Sequence, residues 1–159
     1  MNGKRIVILK NRINEDIKLA MRARDAGRLG ALRLLLAAIQ QREIDERVEL
    51  DDVAVLSVID KLVKQRKESI VQFQKADRLD LAAKEEAELA ILQVYLPQQL
   101  TNEEIAAEVQ AALTQTSAAG PQEMGKVMAL LKSSLAGRAD MTIVSMQVKA
   151  ALSALVSAR

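Results

Sequence analysis

Three clusters of side chains have the types that chemistry uses. Glu85, Glu86 and Glu88 crowd three carboxylates into KEEAEL at 84–89. Such groups can trade protons as acid and base or take up a divalent cation. Lys132 stands directly before Ser133 and Ser134, the residue types of a Ser–Lys nucleophilic pair. The run KQRKES at 64–69, just beyond Lys61, gathers Lys64, Arg66 and Lys67, cations suited to neutralising phosphate.

Chemistry also needs geometry and supporting groups, and here these fall short. The chain has no His and no Cys. The commonest acid/base and metal ligand, thiolate nucleophiles and disulfides are therefore all absent. The three carboxylates lack metal-ligand spacing and read as a solvated helix face. Neighbours on a helix point about 100° apart, so Lys132, Ser133 and Ser134 do not converge. No Gly-rich phosphate loop follows a strand. No catalytic residue, metal or cofactor is assigned.

The elements that must position these groups are helical nearly throughout. Half of the 159 residues are apolar, with one Tyr, one Phe and no Trp, so the core is built from aliphatic side chains that suit packed helices. Leu9, Ile13, Ile17 and Met21 recur every four residues and predict a first helix over about 7–24. Asp25 can cap a second, striped by Leu29, Leu32, Leu36 and Ile39 to about residue 47. Asp51 or Asp52 can cap a third, reaching about residue 76. Asp80 can open a fourth, which Pro97 ends. Thr101 and Glu104 have capping-box spacing for a fifth. Thr114 to Gly120 reads as a small-residue linker, Pro121 as the first position of a sixth helix, and Asp140 as the cap of a seventh. The expectation is an all-α protein: a four-helix N-terminal domain, 1–97, then a small three-helix C-terminal domain, 98–159.

Charge is segregated along this frame. Residues 1–42 hold ten Lys/Arg against three acids, 43–60 hold one Arg against seven acids, and 61–78 hold six basic against two acidic residues. Either these faces pair with one another and with water, or a basic face neutralises phosphates. Missing aromatics argue against base stacking on single strands and leave recognition of a folded RNA open. Residues 98–159 hold five of each sign. Arg66 falls in the middle of the third helix's apolar stripe, among Leu62, Val63, Ile70 and Phe73, with Lys61, Lys64 and Glu68 outward. A buried arginine needs a partner. Glu85 or Glu88 can supply a bidentate one; a bound ligand is the alternative. The run Ile6–Leu9 behind Lys4 and Arg5 is too short for a secretory signal, and no apolar run has a membrane span's length, so the chain reads as soluble and cytoplasmic.

KQRKES (64–69), FQKADRLDL (73–81), KEEAEL (84–89), YLPQQL (95–100), MGKVM (124–128) and GRAD (137–140) occur in an order that resembles the GatB/YqeY family. The resemblance runs from about Val7. Met1–Ile6 lies outside it, either as an extension or as residues ahead of a true start near Val7. It implies a small all-helical protein whose C-terminal part is similar to the tail of the GatB subunit of the tRNA-dependent amidotransferase. That enzyme converts Glu-tRNA(Gln) or Asp-tRNA(Asn) with glutamine as amido donor, and carbon–nitrogen ligase activity attaches to such proteins by family association. The catalytic body of GatB has no counterpart here. The resemblance thus implies a tRNA-binding module, with amidotransferase subunits or another translation protein as companions, rather than a complete enzyme. Carried over by position, the RNA contacts are Lys126, Lys132, Arg138 and Lys149, with Lys61, Lys64 and Lys67 on the long helix. A protein–protein adaptor with an apolar groove is the other reading.

Two glycines bracket the sixth helix. Gly125 and Ala129 form a small-residue shelf beside its core stripe, open to a closely packed helix or to an RNA backbone near Lys132. Gly137 suits the left-handed residue that ends a helix, leaving Arg138 exposed before the Asp140 cap.

Overall fold

A computed structural model describes residues 7–158, so the reading of Met1–Ile6 lies outside the described residues. Among these there are seven α-helices, one 3₁₀ turn and no strand. The protein is all-α. The chain separates into two compact units, Met1–Leu96 and Pro97–Arg159.

The first unit contains α1 (Ile8–Arg22), α2 (Ala26–Glu46), α3 (Asp52–Lys75) and α4 (Leu79–Gln93). Helix α1 stops sooner than its apolar spacing suggests. Arg24 takes a left-handed φ of 54° and turns the chain, its N–H bonded to the Met21 carbonyl at 3.2 Å. Asp25 then caps α2, accepting from the Arg28 N–H at 3.1 Å. Asp51, not Asp52, caps α3, accepting from the Ala54 N–H at 2.9 Å. Asp52 serves another helix end: its carboxylate accepts from the Leu9 N–H at 2.9 Å, one of the donors that a first turn leaves without a partner.

Helix α4 differs from expectation at both ends. Asp77 adopts a φ of 55°, and the Arg78 N–H bonds the Phe73 carbonyl at 2.8 Å. The chain has therefore already reversed at Arg78, which takes the cap position, and Asp80 sits in the first turn, paired with Arg78 at 3.1 Å. At the other end, the helix stops at Gln93 rather than running to Pro97. Short turns bond Tyr95 to Leu92 and Leu96 to Gln93 and roll the Tyr95 ring into the core. Leu32, Leu35, Ile39, Val55 and Ile59 are sealed at the centre of that core with Ile13.

The second unit contains α5 (Asn102–Thr116), a 3₁₀ turn (Pro121–Glu123), α6 (Met124–Ser134) and α7 (Met141–Ser157). Thr101 caps α5 by accepting from the Glu104 N–H at 3.2 Å. This helix runs through Thr114 to Thr116, so the linker begins only at Ser117. The Thr114 and Thr116 hydroxyls bond back to the carbonyls of Gln110 and Ala112, which lets both residues stay helical. Pro121 opens the 3₁₀ turn, not α6 itself. Asp140 caps α7, accepting from the Thr142 N–H at 2.8 Å. Ile105, Val109, Val127, Leu131, Leu135, Val144, Val148 and Leu152 form this unit's own core.

The two glycines of α6 behave differently from expectation. Gly125 lies in the exposed first turn, and a Cβ built on it would meet nothing within 4 Å. Among the described residues, no other helix comes within that distance of it. The close approach belongs to Gly120, which is buried, and whose Cβ would stand 2.8 Å from the side-chain oxygen of Gln122 and 3.3 Å from Cγ2 of Val156 on α7. Gly137 does take a left-handed φ of 70°, but α6 has ended at Ser134, so it shapes the loop rather than the helix end. Arg138 is half-buried there, not exposed, and its carbonyl accepts from the Leu100 N–H at 2.8 Å.

Candidate nucleic-acid interface

The cations proposed to meet RNA occupy both units. In the second, Lys126 and Lys132 lie on α6, Arg138 in the loop after it, and Lys149 on α7. Lys132 and Lys149 are exposed and make no ion pair among the described residues. Lys126 is committed in part to its own unit, its Nζ lying 3.4 Å from the Thr116 carbonyl at the end of α5. A cation there complements the negative helix end. Six residues separate Lys126 from Lys132, about 9 Å along the axis and about 120° around it, so α6 does not gather them on one face. In the first unit, Lys61, Lys64 and Lys67 are exposed along α3.

Arg66 points inward beside them. Its Nη1 lies 2.9 Å from Glu85 and 3.0 Å from Glu88, so it engages both carboxylates of α4. The three side chains retain between 16% and 22% of their exposure. The Nε of Arg66 is buried without a partner. Glu85 and Glu88 are thereby withdrawn from the carboxylate cluster, and Glu86 alone stays exposed. No group of three or more acidic side chains among the described residues could hold a metal ion. Ser133 and Ser134 are exposed, and the Ser134 hydroxyl turns back to the Leu131 carbonyl.

Along α3, a groove of about 680 Å³ runs past Leu62, Gln65, Arg66, Ser69 and Phe73. A second, of about 580 Å³, lies between α2 and α3 and is lined by Arg42, Asp45, Glu46, Ser57 and Lys61 among others. With both charge signs on its walls, this groove offers no plain anion site.

Two interactions escaped the sequence reading. The Tyr95 hydroxyl donates to Asp16 at 2.6 Å, and Arg12 and Arg28 approach the same carboxylate at 3.9 and 4.0 Å. Arg12 also lies 5.0 Å from the Tyr95 ring centre, within cation–π range. Burial, then the Asp16 bond, pushes the Tyr95 hydroxyl above its ordinary pKa. Lys10 grips Glu43 at 2.8 Å, while Glu43 also accepts from the Leu50 N–H at 2.9 Å. The Lys10 bond, opposed by burial and helped by Leu50, holds the Glu43 carboxyl below its ordinary value. The one sequence signal for the first was that the chain's single tyrosine falls within YLPQQL.

Four helices with a paired arginine among them, followed by a three-helix unit with exposed lysines, define an all-α protein of two small units. The chain belongs to the YqeY-like protein family, whose model matches residues 10–152. Its relatives include fungal proteins named "Altered inheritance of mitochondria protein 41, mitochondrial". That of Lachancea thermotolerans is 38% identical over 112 residues, covering 69% of this chain and 60% of the relative. That of Vanderwaltozyma polyspora is 39% identical over 85 residues, 53% of this chain and 46% of the relative. That of Pyrenophora tritici-repentis is 34% identical over 141 residues, 87% of this chain and 77% of the relative. The chain thus spans about half of the first two relatives' length. No helix among the described residues is long and apolar enough to cross a membrane.

Proposed function

We propose that this protein is a non-catalytic tRNA-binding module related to the glutamine-dependent Glu-tRNA(Gln)/Asp-tRNA(Asn) amidotransferase. Ligase activity attaches to it only through that association. The observation that carries the reading is that Lys132 and Lys149 project from the second unit without an acidic partner among the described residues. That is the part whose MGKVM and GRAD motifs resemble the amidotransferase tail. Family membership supports the reading, and the exposed lysines of α3 offer further phosphate contacts. The compartment is the cytoplasm or, by likeness to relatives named mitochondrial, the mitochondrion.

Phosphate contacts make binding fall with salt, because each neutralised phosphate releases counterion. Fluorescence anisotropy of labelled tRNA should therefore show affinity dropping steeply as salt rises. Lys132→Glu with Lys149→Glu should weaken binding about uniformly across tRNAs and flatten that slope by about two units. Anisotropy that stays flat up to high protein concentration overturns the proposal.

A further inference from the structure

The cluster at Asp16 holds more positive charge than the chain itself engages. Three groups converge on one carboxylate oxygen, Oδ2 of Asp16. The Tyr95 hydroxyl takes it at 2.6 Å, while Nε of Arg12 stops at 3.9 Å and Nη2 of Arg28 at 4.0 Å. Those two separations exceed hydrogen-bond reach. Neither guanidinium donates a hydrogen bond to another group among the described residues. Two arginines, one from α1 and one from α2, thus share a single negative charge with their N–H groups unfilled. Their side chains are 51% and 40% exposed, so a ligand can reach both.

The surroundings do not cancel the excess. Residues 12–28 hold five cations against three carboxylates. Besides Asp16, those carboxylates are Glu15, which pairs with Lys18, and Asp25, which caps α2 by accepting from the Arg28 N–H. The facing end of α4, residues 90–95, brings no charge. Beside Arg28 lies a cleft of about 220 Å³, walled by Ala90, Ile91, Val94 and Tyr95. An apolar wall lowers the local dielectric and strengthens an ion pair formed against it.

The geometry of the unfilled donors selects the anion. Each guanidinium offers a planar fork of N–H groups. A flat carboxylate fills one fork, whereas a tetrahedral phosphate can turn oxygens toward two forks that approach from different helices. We propose that Arg12 and Arg28 form a phosphate site beside the Tyr95 ring, taking a free phosphate ion or the phosphate of an ester or an RNA strand. The site lies wholly within the first unit, apart from the lysines of α6 and α7.

Tyr95 is the chain's single tyrosine and Arg12 lies over its ring, so the ring signals report this site alone. In the full chain, NMR signals of ring-labelled tyrosine should shift saturably with inorganic phosphate and far less with chloride at equal ionic strength. Arg12→Gln and Arg28→Gln should each weaken phosphate binding about tenfold or more, since each removes charge-assisted hydrogen bonds. Both replace side chains open to solvent, so cooperative thermal unfolding should remain. Adding tRNA to the Lys132→Glu, Lys149→Glu chain separates the two sources. A shift of the same ring signals assigns an RNA phosphate, and no shift, with inorganic phosphate still binding, assigns a small phosphate. A response to phosphate no larger than that to chloride, or one that either arginine substitution leaves unchanged, would overturn the proposal.

Discussion

Arg66 holds one positive charge between two carboxylates on a neighbouring helix, and none of the three keeps full access to water. Removing the cation alone leaves two like charges facing each other, half-desolvated. Arg66→Met should cost about 2–3 kcal/mol, less than a fully buried pair because some solvent remains. Adding Glu85→Gln and Glu88→Gln should restore most of that loss in urea unfolding. Failure to restore it would mean that Arg66 acts chiefly by packing. Glu43 gives a pH signature. Its folded pKa lies below the ordinary value of 4.5, so its contribution is present above that value and is lost as pH falls through the lowered one. Glu43→Gln should be less stable than the wild type at neutral pH, with the gap closing on acidification. A gap that is constant with pH would rule out the Lys10 pairing as its cause. Arg66 could be read from the sequence because a helical wheel is local. Tyr95 with Asp16 could not, since 79 residues separate them and only the fold brings them within 2.6 Å.

Helix starts follow the same division. Asp25, Thr101 and Asp140 announce the ends they cap because each bonds an N–H two or three residues on. Asp140→Ala should cost about 1 kcal/mol for that reason, measured by thermal unfolding. The limits of α4 were hidden because they depend on a left-handed Asp77 at one end and on burial of Tyr95 at the other. Glycine shows the contrast most clearly. Gly125 has open space around it, so Gly125→Ala should raise stability by a few tenths to about 1 kcal/mol. At Gly120 the same change displaces the Gln122 side chain and presses on Val156, so Gly120→Ala should be the less stable of the two variants. The reverse order would return the close packing to α6. A sequence pattern places a glycine on a helix but does not reveal what stands opposite it.

At the scale of the whole molecule, two separate sets of buried side chains matter most. One runs from Leu9 to Tyr95 and the other from Ile105 to Leu152. A unit with its own core should fold when severed near Pro97, though a chain of about 60 residues buries only about 60% of its unfolded surface and is marginal. Fragments 1–96 and 97–159 should therefore both show helical circular dichroism and cooperative urea unfolding. The shorter should have the smaller denaturant slope, roughly in proportion to the surface it exposes. A fragment without a cooperative transition would mean that its core is insufficient alone. If both fold, the proposed RNA contacts can be assigned by fragment. The tail reading requires 97–159 to bind tRNA with salt-dependent affinity that Lys132→Glu and Lys149→Glu reduce. Binding held by 1–96 alone, and lost with Lys61→Glu and Lys64→Glu, would move the interface to α3. The sequence left that choice open because its motifs mark both units, and net charge favours neither lysine set: the tail is balanced, and α3 faces the acidic α4.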